Sequence, residues 1–300
     1  MPDPLRHAIL GVGGVGGTVG TCLAHLGDSV TVVVKPESFA TYPEQLHLKS
    51  TIGEFTASVS RATEVPPCDV LWLAVKATQL DAALRAVANH ENFRAIVPLL
   101  NGIDHIAMLR AKFGNDRVIP ATIAGEMERI SPGNFVHSTP FLRLNVLSSG
   151  RSLLSETSDV LQKLGMDCRF IDDEPTLMWG KAVFLAPIAL ATTAFDQPVG
   201  GVLANPDSKA RWEACVRETS AVATAEGAKV DSNVVFAGMS KSPYGMRSSM
   251  QKDVDQGNPP ELEAIAGPIL RGGDRHGIAV PATKALADAV AARSGAVKLR

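Results

Sequence analysis

Ala8-Ile9-Leu10 runs directly into Gly11-Val12-Gly13-Gly14-Val15-Gly16, followed by Gly17-Thr18-Val19-Gly20. An apolar strand, a glycine-rich turn and a helix opening on small residues are the parts that hold a dinucleotide. Gly11 permits the tight turn, Gly13 lets the backbone approach a pyrophosphate, and Gly16 lets the helix lie close on the strand. Val12, Gly14 and Val15 complete the loop. Its backbone N–H groups would meet the phosphates at the positive end of the helix dipole. A glycine-rich turn with no ligand is the plainer reading; the readable strand before it and helix after it argue against that.

Other residues extend this chemistry. Lys35 follows the β-branched run Ser29–Val34. NAD-binding folds place an acid there for the ribose 2′-hydroxyl, whereas a lysine attracts a 2′-phosphate. NADP or NADPH is therefore expected over NAD, with Glu37 as the competing signal. Lys76 and Asn101 follow the apolar runs Asp69–Val75 and Ala95–Leu100. Open α/β sheets bind ligands beyond those carboxyl ends. Singly, the lysine reads as solvated and Asn101-Gly102 as a turn; together at one sheet end they favour a site. Lys181 lies in Trp179-Gly180-Lys181-Ala182-Val183-Phe184-Leu185, at the head of an apolar helix. Such a lysine either snorkels to the surface or is desolvated. In the second case its pKa falls, which suits a general acid for carbonyl reduction. Glu261 and Glu263 follow Pro259-Pro260, where acids suit a helix first turn. At most one of them is expected to face a site.

The scaffold that must place these residues is readable. Strands are expected at Ser29–Val34, Gln45–Lys49 and Phe55–Ser60 (an antiparallel pair turned at Gly53), Asp69–Val75, Ala95–Leu100 and Arg117–Ile123. Asn134–His137 and Phe141–Val146 read as two antiparallel strands, and Cys168–Ile171 as the last. Helical spacing covers Leu80–Ala88, Ile103–Lys112 and Leu153–Leu164. This alternation means a parallel sheet covered on both faces. After Asp172-Asp173-Glu174-Pro175, a helix-start pattern, only helices follow, at about 176–192, 205–227, 232–238, 259–276 and 281–294, with a loop at Gly200-Gly201. The expected class is α/β, a Rossmann-type parallel-sheet domain over 1–172 and an all-α domain over 173–300.

Composition removes other classes. With 45% hydrophobic and 20% charged residues the chain is ordinary for a soluble globular protein. A net charge of −2 and no dense basic tract argue against nucleic acid. Cys22, Cys68, Cys168 and Cys215 make no C-x-x-C pair and read as free thiols in a reducing compartment. The histidines form no H-E-x-x-H pair, so no metal is expected, and no G-x-S-x-G elbow is present. The longest apolar run, Ala182–Ala191, is about half of what spans a membrane and reads as a core helix. No secretory signal is read, and a cytoplasmic protein is expected.

In this order, Gly11-Val12-Gly13-Gly14-Val15-Gly16, Val75-Lys76-Ala77-Thr78-Gln79, Asn101-Gly102 and Trp179-Gly180-Lys181 resemble the ketopantoate reductase (2-dehydropantoate 2-reductase) family. So do Ser248-Ser249-Met250-Gln251-Lys252-Asp253, Glu261-Leu262-Glu263-Ala264-Ile265-Ala266-Gly267 and His276-Gly277-Ile278-Ala279-Val280-Pro281. The last three blocks are more specific than the glycine loop. The resemblance implies a Rossmann domain, a helical domain like that of 6-phosphogluconate dehydrogenase, and NADPH bound between them as hydride donor to a 2-oxo acid. It implies that Lys181 protonates the carbonyl oxygen, that Glu261 helps bind the product hydroxyl, and that Ser249 contacts the substrate carboxylate. Lys76 and Asn101 would lie near the nicotinamide and its ribose. A homodimer is implied in the same way.

One departure matters. The family carries asparagines one and two helical turns after the lysine; here those places are Leu185 and Ala189, with Pro187 between them. Residues at i, i+4 and i+8 share a face, so a polar substrate wall has become apolar, and Pro187 should kink the helix. Loss of hydrogen bonds to a hydroxylated substrate weakens selectivity for it. The leading expectation is NADPH-dependent reduction of 2-dehydropantoate to pantoate, in pantothenate biosynthesis. The alternatives are reduction of a more apolar 2-oxo acid, or a non-catalytic NADP-binding sensor.

Overall fold

Runs of buried β-branched and leucine residues make the first part of the chain a set of short strands. The computed structural model describes residues 5–87 and 93–299. The chain divides into one unit of 1–100 with 105–172, and a second of 101–104 with 173–300. The first unit contains, in order, β1 (Arg6–Leu10), α1 (Gly14–His25), β2 (Ser29–Val33), β3 (Gln45–Ser50), β4 (Gly53–Ser58), β5 (Ser60–Ala62), β6 (Val70–Leu73), α2 (Leu80–Ala83), β7 (Ala95–Pro98) and α3 (His105–Phe113). It continues through β8 (Ala121–Ala124), β9 (Met127–Ser131), β10 (Asn134–His137), β11 (Arg143–Leu147), α4 (Arg151–Lys163) and β12 (Asp167–Ile171).

Five strands form a wholly parallel sheet in the order β5-β2-β1-β6-β7. Every residue of β6 and β7 is buried, as a sheet covered on both faces requires. Among the described residues, the sheet continues beyond β7 as a single parallel bridge, Ile96 to Val118. The parallel sheet is as expected, and two mixed sheets accompany it, ordered β4-β3-β10-β9 and β12-β11-β8. Asn134–His137 and the strand after Pro140 do not pair with each other. β10 pairs with β3 and β9, whereas β11 pairs with β8 and β12. The helix expected over Leu80–Ala88 is a single α-turn followed by a 3-10 turn at Leu84–Ala86; Ala88 lies outside the described residues. All four cysteines are buried free thiols. Burial pushes Cys22, Cys168 and Cys215 up to about 12 and Cys68 up to about 11, so none is a thiolate near neutral pH.

The second unit is helical: α5 (Glu174–Phe195), α6 (Val199–Ala204), α7 (Pro206–Ala225), α8 (Ser232–Met239), α9 (Ser249–Asp255), α10 (Leu262–His276) and α11 (Pro281–Ser294). Asp173 caps α5 by accepting from Thr176 N at 3.2 Å, with Pro175 in the first turn. By length and composition α5 alone among the described helices would cross a membrane. However, 67% of its most apolar window is buried inside the fold, against α7, α11, α9, α10, α6 and α8. It runs unbroken through Pro187. Gly200-Gly201, expected as a loop, sit inside α6. A side chain on Gly200 would overlap the Tyr244 ring, so these glycines serve close packing rather than a turn.

Candidate active site

The glycine loop is built by close approach. Gly11 has φ +100°, and a β-carbon there would stand 2.6 Å from Val75 N, so only glycine fits. A β-carbon on Gly16 would overlap Gly11 O and lie 3.0 Å from Ile9 Cγ2, which is how α1 settles on β1. Gly14 and Gly17 serve a role that sequence reasoning missed. Side chains there would overlap Met127 O of β9 and the Phe135 ring of β10. The doubled glycines, Gly13-Gly14 and Gly16-Gly17, were the available signal. Gly13 differs from all of these, since nothing lies within 4 Å of a β-carbon built on it. It is the N-cap of α1, which has no side-chain cap and no acid in its first turn. An open helix start with no acid in its own first turn suits an anion. These residues therefore fit the pyrophosphate of a dinucleotide.

Lys35 is exposed two residues beyond β2 and opens a 3-10 turn, Pro36–Ser38, that contains the exposed Glu37. Arg61 of β5 gathers the following segment. It donates to Phe39 O at 2.9 Å, Tyr42 O at 2.6 Å and Glu44 Oε1 at 2.6 Å, and stands over the Phe39 ring. Lys76 is exposed beyond β6 and opens the 3-10 turn Ala77–Gln79.

In the second unit, three segments distant in sequence meet. Asn101 Nδ2 donates to Glu261 Oε2 at 3.0 Å. Glu261 stands just before α10, does not cap it, and is only 7% exposed. Lys181, early in α5, is partly exposed. Burial pushes its pKa down to about 8, with the negative charge of Glu261 acting in the opposite direction. A lysine near its midpoint at neutral to mildly alkaline pH, beside a buried carboxylate, can both hold and release a proton. Glu263 points elsewhere: it accepts from Arg271, as does Asp104. Asp104 and Arg271 are the polar neighbours that sequence reasoning missed.

Ser249 is exposed in the first turn of α9, a helix absent from the sequence-based reading. Its neighbour Ser248 is buried, accepts from Gln251 N at 3.1 Å as the cap of α9, and shares a hydrogen bond with Thr192 Oγ1 at 2.8 Å. The apolar wall expected from Leu185 and Ala189 is corrected in part. Leu185 is partly exposed and lines a small apolar hollow with Gly102, Trp179, Ala182 and Ala264, whereas Ala189 is buried in the helical core.

Residues 7–146 match the ketopantoate reductase PanE/ApbA family model, and residues 175–294 match the model of the ketopantoate reductase PanE/ApbA C terminal. The chain belongs to the ketopantoate reductase family. Like the relatives so named, it is an oxidoreductase. It is 28% identical over 285 residues to a 2-dehydropantoate 2-reductase of Caulobacter vibrioides, covering 92% of this chain and 94% of that protein. The crystal structure of 2-dehydropantoate 2-reductase from Geobacter metallireducens is 25% identical, with a TM-score of 0.84, over 95% of this chain and 99% of that one. D-mandelate dehydrogenase, solved with NADH and anilino(oxo)acetate, shares the ketopantoate reductase fold at 19% identity. Its TM-score is 0.85, over 97% of this chain and 99% of that one.

Proposed function

We propose that this chain reduces a 2-oxo acid to the 2-hydroxy acid with NADPH, 2-dehydropantoate being the first substrate to test and pantoate its product. The observation that carries this reading is the buried Glu261, which Asn101 holds at 3.0 Å and whose charge acts on Lys181, a lysine that burial pushes down to about 8. The nicotinamide cofactor, when bound, supplies the hydride. As the carbonyl carbon gains that hydride, negative charge grows on its oxygen. Lys181 Nζ stabilises the charge and gives its proton to that oxygen, leaving a C–OH group and a neutral lysine that recovers a proton from water. Glu261 keeps enough of the lysine protonated near neutral pH to do so. The open backbone at Gly13 takes the pyrophosphate, Lys35 the 2′-phosphate, and Ser249 the substrate carboxylate. The protein acts in the cytoplasm as a dimer.

A second reading, an acid with an apolar side chain, is favoured by Leu185 and the hollow it lines. One assay decides among these: NADPH and NADH oxidation with a panel of 2-oxo acids, with Lys181→Ala alongside. Turnover with NADPH that Lys181→Ala abolishes is expected. Full activity in that variant would remove Lys181 as the acid, and a clear preference for NADH would remove Lys35 as a phosphate ligand. Tight NADPH binding with no turnover on any acid would make the protein a cofactor sensor.

A further inference from the structure

We propose that Arg271 is a positioning residue, which latches segment 101–104 to α10 through Asp104 and so holds Asn101 against Glu261. The inference rests on the reductase reading above. Besides the packing of Ile103, three contacts dock the segment on α10. Asn101 donates to Glu261. Gly102, at φ +87°, lies so close to Ala264 O that a β-carbon would overlap it. Asp104 accepts from Arg271 Nη2, while Arg271 Nη1 donates to Glu263 Oε1. The guanidinium is thus fixed by two carboxylates, one on its own helix and one on the segment it retains. Its planar fork makes both bonds in one orientation, which a lysine cannot do. Gly267 leaves the room for this. A β-carbon there would stand 2.7 Å from both Arg271 Nη2 and Glu263 Oε1.

Gly102 allows the close seat but supplies no side chain to hold it. Ile103 packs on the helical core beside Ile265 and Ile269, and Asp104 supplies the polar attachment at the far end of the segment. With Asp104 released, the segment would keep the packing of Ile103 and the Asn101 hydrogen bond but lose the polar contact that fixes its far end, so the donor to Glu261 would be less firmly placed. All three partners of the latch are about half exposed, at 47% for Arg271, 62% for Glu263 and 59% for Asp104. Exposed ion pairs add little stability, so breaking this one should leave the fold intact and isolate its effect on geometry.

The test compares the full-length protein with Arg271→Met, Asp104→Asn and their combination, using NADPH and the 2-oxo acid that the parent turns over. Each single variant is expected to lose about tenfold in kcat, less than the roughly 10²-fold that a misplacement of about 1 Å can cost. The double variant should lose no more than either, and the melting temperature should stay at the parent value. Arg271→Lys should recover part of the loss, and Glu263→Gln should stay within about twofold of the parent, since it leaves the Asp104 contact in place. Amide hydrogen exchange over residues 99–105, measured without substrate, should quicken in both single variants. Exchange equal to the parent, additive losses in the double variant, or quickened exchange with unchanged kcat would each overturn the latch. A parent protein that reduces no 2-oxo acid would instead overturn the reductase reading, and the exchange measurement would then judge the latch by itself.

Discussion

Asn101 and Glu261 are 160 residues apart in sequence and 3.0 Å apart in space. A buried carboxylate carries a desolvation cost that a donor offsets, and the amide of Asn101 supplies one. The same carboxylate opposes the effect of burial on Lys181. The three residues therefore form one electrostatic unit, whose output is the fraction of Lys181 that carries a proton.

Removing the charge of Glu261 should move that output. Glu261→Gln keeps an oxygen for Asn101 but ends the attraction that raises the lysine pKa, so the pKa falls below about 8. A general acid must be protonated to act, so reduction fades as pH rises through its pKa. The alkaline limb of the kcat profile should therefore shift to lower pH in Glu261→Gln. An unmoved limb would show that another group sets it.

Lys181→Met should separate activity from stability. Loss of the acid should lower kcat by about 10² to 10⁴-fold. The thermal midpoint should rise, because a lysine whose pKa falls from 10.5 to about 8 on folding is destabilising while charged. The sign can be checked in the parent. Between pH about 8 and 10.5 the unfolded chain binds more protons than the folded one, so stability climbs with pH across that window. Thermal melts at several pH values should show this climb in the parent and a smaller one in Lys181→Met.

The parallel sheet and the long helices were legible because their signals are long. β2, β6 and β7 read as buried apolar runs, α5, α7 and α11 as extended helical segments with proline at their starts, and α10 as an extended helical segment following Pro259-Pro260. What was missed is short or exposed. β5 has three residues, and α9 has seven, mostly polar. β9 is exposed over Glu128–Ser131, so it carries no alternation to read. Of the candidate site, Asn101, Lys181 and Glu261 were readable by type, while the Arg271–Asp104 contact was not. Glu263 looked like a first-turn acid, and nothing in the local sequence ties Asp104 to an arginine 167 residues away.

The glycine loop should divide into two kinds of position. Gly14→Ala meets Met127 O and Glu128 N, both backbone atoms that cannot yield cheaply, so it should destabilise the fold by about 1–3 kcal/mol. Gly13→Ala meets nothing within 4 Å and should leave the denaturant midpoint nearly unchanged. A methyl group there would nevertheless stand where the proposed function places the pyrophosphate, so on that reading NADPH affinity should fall. Fluorescence titration and urea unfolding of the two variants check both halves. Equal loss of stability in both would deny the distinction.

Leu185 and Ala189 follow Lys181 by one and two helical turns, yet the fold treats them differently. Leu185 is partly exposed on the hollow that Gly102, Trp179 and Ala264 also line, and those residues neighbour Asn101, Lys181 and Glu261 in the chain. Ala189 is 1% exposed within the helical core. An asparagine at 189 would bury an amide without room or partners, and it should cost about 2 kcal/mol or more. An asparagine at 185 could reach water or a ligand at small cost. If the substrate lies against this face, Leu185→Asn should raise kcat/KM for hydroxylated 2-oxo acids relative to apolar ones by about 10-fold or more, since a polar partner is gained for one class and an apolar one lost for the other. The ratio of kcat/KM for 2-dehydropantoate and for its deoxy analogue, in the parent and in Leu185→Asn, measures this directly. An unchanged ratio would place the substrate side chain away from Leu185 and leave the hollow as packing of the helical unit alone.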